Sequence, residues 1–407
     1  MTLSADAPPR ECDVAIIGAG IIGLAIAREV MRRRQGVRLC VLERERRLGA
    51  HQTGRSSGVI HAGVYYEPGG LKARLCVEGA RELYAHCEER DIGFQRSGKL
   101  IVATAEGEVE ALVELERRGL VNGVPGLRRL SAGEIAAVEP HAEGLSALHS
   151  PSTGITDFGE VARSYGEEAI SAGATLHLGA GVESARPVSG GIRLSHSHGD
   201  TVAKSAVFSA GLWSDRLAVS CGAPKEPRIV PFRGAYLRVD PARADLVRSN
   251  IYPVPDPALP FLGAHLTRTL SGDLLIGPSA LMVGARDAYA LRRVRPRDLA
   301  ETVAWPGTWR LGARNWRTGL TELRRAASKR SFLSEAARFV PALADATVSV
   351  GPVGIRAQAL GRDGALVDDF VVHRTEHAIH VRNAPSPAAT ASLPLARMIV
   401  DELDSLS

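Results

Sequence analysis

The stretch Val14-Ala15-Ile16-Ile17-Gly18-Ala19-Gly20-Ile21-Ile22-Gly23 constrains this chain more than any other. Residues 12–17 read as a short buried strand. An apolar helix from Ile22 to Arg33 follows the glycines at once and is ended by Gln35-Gly36, and a second strand, 37–42, stops at Glu43. The letters G-x-G-x-x-G alone are a weak signal, but inside a βαβ unit of this length they are a dinucleotide fingerprint. Gly18 makes the tight turn, Gly20 lets backbone approach a pyrophosphate, and Gly23 lets the helix pack against the strand. The helix start at Ile21 and Ile22 offers N–H groups and a positive dipole end to phosphates. Glu43 is placed to accept hydrogen bonds from a ribose, and an acid there disfavours the 2′-phosphate of NADP. FAD and NAD both remain open at this point.

Bulk properties narrow the class further. A length of 407 residues predicts two domains, or one large α/β domain with an insertion. The N-terminus MTLSADAPPRECD has no basic start before an apolar run, so no signal peptide is expected. The run 14–27 is short for a membrane span. Five cysteines without a C-x-x-C pair read as reduced thiols in a cytoplasm. The net charge of +5 is localised, because residues 286–330 hold twelve basic residues against four acidic ones. Such a segment fits an anionic membrane surface or an acidic substrate. Few aromatics interleave with its arginines, which argues against a nucleic-acid partner.

Beyond the fingerprint, residues 71–91 and 106–118 look helical, and 99–103 reads as a strand. Residues 175–210 are strand-rich and end in a turn at Gly211. His196 and His198 sit at a polar hairpin tip, and no metal site is expected. Residues 228–285 alternate like an antiparallel sheet, including a strand Phe261–Thr267. Helical patterns run through 340, and strands and a last helix follow. The order predicts an α/β fold: a Rossmann-like cofactor domain with a discontinuous antiparallel-sheet substrate domain laid across it. The expected division is 11–90, 150–220 and 340–407 for the cofactor, and 91–149 and 221–339 for the substrate.

Gly54 to Gly58 spells G-x-S-x-G, the frame of a hydrolase nucleophile turn at Ser56. That turn needs a strand before it and a helix after it. Here HQT precedes and the β-like run VIHAGVYY follows, so Thr53, Arg55, Ser56, Ser57 and Gly58 read better as a second contact strip on an extended dinucleotide.

The segments HQTGRSSGVIHAGVYYEPGGLKARLCVEGA, SGKLIVAT, PFRGAYLRVD, IYPVPDPALPFLGAHLTR, GIRAQAL, LVDDF and VRNAPSPAAT resemble the L-2-hydroxyglutarate oxidase/dehydrogenase family. These are flavoenzymes of the D-amino-acid-oxidase and glycine-oxidase superfamily. The resemblance implies FAD as cofactor and oxidation of L-2-hydroxyglutarate to 2-oxoglutarate. Electrons would pass to oxygen or a membrane quinone, in a protein that is cytoplasmic or peripheral on the inner face of the membrane. A relative acting on another hydroxy or amino acid is the alternative. Val182, Asn383, Pro385, Ser386 and Pro387 join the expected cofactor contacts. Pro387 suits a helix start, and a helix N-terminus facing the flavin would stabilise its reduced form.

Oxidising a 2-hydroxy acid needs a cation for the carboxylate, a base near the hydroxyl and fixed geometry. Arg356 sits where the superfamily carries its carboxylate-binding arginine, and a guanidinium gives two parallel charge-assisted bonds. His61 and His265 compete as the base. Arg233, Tyr252 and Ser386 are further candidates around the substrate. The chain departs from the resemblance at Arg55 and Ser56, where the family usually has histidine and asparagine. It departs again at Arg286-Asp287-Ala288-Tyr289, where a Glu-Gly-Tyr run is common. Both departures mark places where specificity is expected to differ.

Overall fold

The computed structural model describes residues 7–256, 263–319 and 328–406, which form two large sheets and a small third one. The strand Glu11–Ile17 is central to the first sheet. It pairs in parallel with Leu39–Leu42 on one side and with Gly199–Phe208 on the other. Thr175–His177 and Ala378–Asn383 extend the two sides, again in parallel. The strand order reverses at Glu11–Ile17, so the crevice that binds ligands in such sheets opens at its carboxyl end. Helices Ile21–Arg33, Phe158–Ser171 and Ser392–Asp404 cover one face. Leu24, Ile26, Val30, Tyr165, Leu395 and Ile399 pack there in one buried cluster.

The second sheet is built on Arg228–Val239, which pairs antiparallel with Val348–Leu360 from Arg228 opposite Leu360 to Val239 opposite Val348. It continues through Leu274–Gly277, His265–Arg268, Asn250–Pro253, Lys99–Ala103, Ser146–Ser150 and Arg128–Ser131. The small sheet pairs Val59–Ile60, Gly154–Thr156 and Phe94–Gln95.

The fold is the expected one, with one exception in the pairing of the substrate sheet and two differences in boundaries. The substrate sheet is not wholly antiparallel, because Asn250–Pro253 runs parallel to Lys99–Ala103. These strands come from stretches joined by a long passage through the other sheet, which permits the crossover that parallel pairing needs. The chain does not return to the cofactor sheet at 340. Residues 348–360 stay in the substrate sheet, and the cofactor sheet regains the chain at Val371–Thr375 and Ala378–Asn383. Leaving Val348–Leu360 unpaired would have exposed one long edge of Arg228–Val239. Finally, the expected strand from Phe261 is seen as His265–Arg268, and Phe261 and Leu262 lie outside the described residues. Residues 320–327 of the helical stretch also lie outside them; helices Pro296–Ala304, Pro306–Arg314 and Lys329–Ala336 are described.

Alternation sets what the second sheet presents. Successive side chains on a strand point to opposite faces. Leu100, Val102, Ile251, Leu266 and Ile276 lie on one face, packed against Phe332, Leu333 and Phe339. With Asn250 opposite Lys99 and Ile251 opposite Leu266, the intervening residues Lys99, Asn250, Tyr252 and His265 share the other face. All four are buried. A buried face carrying a lysine, an asparagine and a histidine is not a packing surface; its polar groups need partners.

Candidate active site

The nucleotide end is built by close backbone approach. Gly18 has φ +103°, and a Cβ there would lie 2.6 Å from the Ser209 carbonyl oxygen. A Cβ on Gly23 would lie 2.0 Å from the Gly18 carbonyl oxygen. Ser209, which the sequence reading passed over, donates to the carbonyls of Ile17 (3.1 Å) and Gly18 (3.2 Å) and locks this turn. The Ile21 N–H donates to Thr53 Oγ1 at 3.0 Å, so the second loop is tied to the helix start. Glu43 is buried, and its carboxylate accepts from the N–H groups of Ala19 (2.6 Å) and Glu45 (2.9 Å). Burial raises its pKa, against the pull of those two amides. Val182 follows Gly181, which packs on Arg44, so it stands beside the Glu43 strand end. Gly211 has φ +49° and faces Gln52. The glycine cradle, the helix start and the positioned carboxylate fit an extended dinucleotide such as FAD.

The loop after the fingerprint is not a nucleophile turn. Thr53–Arg55 is a single 3-10 turn followed by the two-residue strand Val59–Ile60. Ser56 Oγ donates to the Thr53 carbonyl at 3.2 Å and accepts from the Gly58 N–H at 3.4 Å, so it braces the loop. Gly58, at φ +75°, leaves room only for the Thr156 carbonyl. Ser57 lies against the buried Tyr236 phenol, which the sequence reading did not single out.

Arg55 has a structural explanation. Its guanidinium donates to the carbonyls of Val353 (3.2 Å) and Ala50 (3.3 Å) and stacks on the Tyr289 ring at 3.9 Å. The two departures from the resemblance therefore meet each other. Tyr289 also bonds His51 Nδ1 through its hydroxyl at 2.6 Å, and His51 Nε2 bonds Glu45 at 3.0 Å. Arg286 is buried and forms a two-pronged ion pair with Asp215, with Glu301 at 3.3 Å. These residues tie the loop and the 286–301 segment together, and none of these contacts involves the His265 face.

The C-terminal segment also differs from expectation. The helix starts at Ser392, and residues 386–391 are turns leading into it, with Pro387 O accepting from the Ala391 N–H at 2.9 Å. Pro387 thus stands five residues ahead of the helix proper. The segment still reaches the site: Ser386 Oγ lies 3.2 Å from His61 Nε2, and Thr390 Oγ1 accepts from the His61 N–H at 3.1 Å. Asn383 donates to the carbonyls of Val367 and Asp369, and among the described residues its buried Oδ1 has no partner. Pro385 O accepts from the Ala388 N–H at 2.8 Å.

The remaining candidates gather on the polar sheet face. Arg356 lies opposite Phe232, and Arg233 opposite Ile355. Adjacent residues alternate, so Arg233 points to the face away from Arg356. It donates to the Tyr289 carbonyl at 3.0 Å and is a strut, not part of the expected substrate site. Gly234 clears space for Arg356, whose Cζ would lie 3.7 Å from a Cβ there. His265 stacks on Tyr252 with ring centroids 3.9 Å apart. Its Nδ1 lies 3.1 Å from the Gly263 carbonyl. Only a protonated nitrogen can donate to a carbonyl, so this bond leaves Nε2 as the free base. Burial, opposed by that hydrogen bond and helped by the fields of Lys99 and Arg356, pushes the His265 pKa down to about 3. His61 is likewise held well below the ordinary histidine value, by burial first and then by Lys99, His265 and Lys72.

Lys99 is the residue that sequence reasoning missed. It is 2% exposed, and its Nζ sits over the rings of Tyr252 (4.3 Å) and Tyr65 (5.0 Å). Burial lowers its pKa to about 7. The available signal was a charge at the head of an otherwise apolar strand, Lys-Leu-Ile-Val-Ala, that is buried at every position.

Comparisons with known proteins agree with this architecture. The family model described as FAD dependent oxidoreductase matches residues 13–402. The mitochondrial L-2-hydroxyglutarate dehydrogenase of Nematostella vectensis is 42% identical, over 97% of this chain and 91% of that protein. The L-2-hydroxyglutarate dehydrogenase of Indibacter alkaliphilus is 40% identical over 94% of this chain and 96% of its own, and the mitochondrial enzyme of Homo sapiens is 40% identical over 98% and 90%. Among solved structures, FAD-bound L-α-glycerophosphate oxidase from Mycoplasma pneumoniae superposes with a TM-score of 0.77 at 21% identity, covering 97% of this chain and 95% of that one. Glycine oxidase from Geobacillus kaustophilus gives 0.73 at 22%, covering 98% and 95%. At those identities the two structures speak for the fold alone. The chain belongs to the FAD dependent oxidoreductase family and, within it, to the L-2-hydroxyglutarate dehydrogenase family.

Proposed function

We propose that this protein oxidises L-2-hydroxyglutarate to 2-oxoglutarate. The carrying observation is one sheet that carries the partly exposed Arg356 and, on its polar face, the buried His265 and Lys99, in a chain about 40% identical over nearly its full length to L-2-hydroxyglutarate dehydrogenases. When bound, FAD supplies the hydride acceptor, held by Gly18, Gly20, Gly23, Glu43 and the loop 53–58. Arg356 holds the carboxylate next to the reacting carbon, fixing which hydrogen faces the acceptor. His265 Nε2 takes the hydroxyl proton, while its Nδ1 bond to Gly263 fixes the ring. His61, bonded to Ser386 and Thr390, holds the loop against the C-terminal segment. In the free site burial, and after it the fields of Lys99 and Arg356, suppress the basicity of His265. A dianionic substrate neutralises both, so binding itself raises the basicity of the histidine. Product analysis tests the reading: 2-oxoglutarate should form from the L enantiomer and not from D-2-hydroxyglutarate. Equal turnover of L-glutamate would reverse it in favour of an amine oxidase.

The pH profile follows from the same groups. The His265 pKa is lowered to about 3, so its neutral form is fully present well above that pH and is lost only as pH falls toward it. kcat/KM reports the free enzyme. It should therefore stay flat between about pH 5 and 6, and fall on L-2-hydroxyglutarate above about pH 7, where Lys99 loses its proton. An acid limb centred near the ordinary histidine value of about 6.5 would contradict His265 as the base.

The electron acceptor completes the proposal: a membrane quinone, reached by peripheral docking at the inner face of the membrane. Trp309 and Trp316 are 65% and 57% exposed on the basic segment, beside Arg310, Arg314 and Arg317. No helix among the described residues is long and apolar enough to cross a membrane, so contact would be interfacial. Binding to vesicles of phosphatidylglycerol should weaken several-fold as salt rises from about 0.05 to 0.5 M. Absence of binding at low salt would overturn the docking.

A further inference from the structure

The substrate proposed above carries two carboxylates, and Arg356 accounts for one. The other cations around the site are engaged elsewhere. Lys72 donates to the Asp368 carboxylate at 2.7 Å and to its carbonyl at 3.0 Å. Arg233 faces away and bonds Tyr289, and Arg55 is spent on two carbonyls and a ring. Lys99 differs from all three. Among the described residues no carboxylate or carbonyl partners its Nζ, which stands over the rings of Tyr65 and Tyr252. Lysine is among the residues least often fully buried, and buried charges are ordinarily paired. The hydroxyl of Tyr65 is buried and lacks a hydrogen-bond partner among the described residues. The lysine Nζ stands 5.0 Å from the centre of that tyrosine's ring, and a carboxylate bound here accepts from both groups.

We propose that Lys99 selects a dicarboxylate: with the Tyr65 hydroxyl it holds the carboxylate remote from the reacting carbon, while Arg356 holds the near one. This rests on the reading of the site as a 2-hydroxy-acid oxidation centre. Lys99 Nζ and the His265 ring both lie against the Tyr252 ring, 4.3 Å and 3.9 Å from its centre, and Arg356 lies beside Gly234 on the same sheet. The consequence is specificity more than rate. Losing Lys99 should penalise acids with a second carboxylate and spare those without one.

The test compares wild type, Lys99→Met and Lys99→Arg on L-2-hydroxyglutarate and on L-2-hydroxybutyrate, which lacks the remote carboxylate. Lys99→Met should lower kcat/KM for the diacid about 10- to 100-fold more than for the monoacid, mainly through KM. Lys99→Arg should restore part of the loss. A second arm titrates the flavin absorbance with glutarate and with butyrate, which needs no turnover. Glutarate should bind wild type more tightly than butyrate does, and Lys99→Met should erase that difference. Equal losses on both substrates, or an unchanged glutarate preference in Lys99→Met, would overturn the assignment. If wild type oxidises neither hydroxy acid, the functional reading falls while the glutarate arm still decides Lys99.

Discussion

Arg356→Met should lose about 30- to 5,000-fold in kcat/KM on L-2-hydroxyglutarate, with flavin content and thermal midpoint unchanged. The range follows from removing one partner of a buried, hydrogen-bonded charge pair, which costs about 2–5 kcal/mol. Arg356 is carried on a 13-residue strand paired along nearly its whole length, so the backbone around it is fixed before any ligand arrives. The glycine at 234 leaves the guanidinium space to turn toward a substrate. Lysine at this position keeps the charge and loses the planar fork. Arg356→Lys should therefore recover binding better than it recovers turnover, because orientation is what the fork supplies. A variant that keeps wild-type kcat/KM would remove Arg356 from the site.

Gly23→Val should yield protein without bound flavin. The added Cβ alone would sit 2.0 Å from the Gly18 carbonyl oxygen and 2.5 Å from Ser209 Oγ, and these are the atoms of the phosphate turn. Neither neighbour can withdraw, because Ser209 is bonded to Ile17 and Gly18, and Gly18 closes on Leu42. The helix must tilt off the strand, and the cradle opens with it. Gly23→Ala, the milder change, should retain folded protein with a several-fold lower flavin occupancy. Gly36→Asn is the control. Gly36, unlike Gly23, is left-handed, at φ +72°, and nothing lies within 4 Å of its missing Cβ. Asparagine tolerates that backbone, so the control should cost no more than about 1 kcal/mol. Full flavin occupancy in Gly23→Ala and Gly23→Val would contradict the cradle as described.

What the sequence showed and hid follows from distance along the chain. The βαβ unit was legible because its glycines, apolar runs and Glu43 act on neighbours within about thirty positions. The alternation of 228–285 announced a sheet, but alternation cannot say which strands pair. So the parallel contact of Asn250–Pro253 with Lys99–Ala103 and the long pairing of Val348–Leu360 came only from the structure. The same limit hid the partners of Arg55 and Arg286. Each looked like a specificity change because its partner, Tyr289 or Asp215, lies far away in sequence. Arg233 and Arg356 looked equivalent as letters, and the register separated them onto opposite faces. Lys99 stayed hidden for a local reason, since a charge opening a strand usually faces water.

The central claim is that this flavin site takes a hydride from an L-2-hydroxy dicarboxylic acid. The most direct measurement is anaerobic mixing of the purified flavoprotein with L-2-hydroxyglutarate, D-2-hydroxyglutarate and L-glutamate while following the visible flavin absorbance. The account predicts bleaching by L-2-hydroxyglutarate alone, within one turnover and without an added acceptor. Bleaching by L-glutamate while L-2-hydroxyglutarate leaves the flavin oxidised would contradict it.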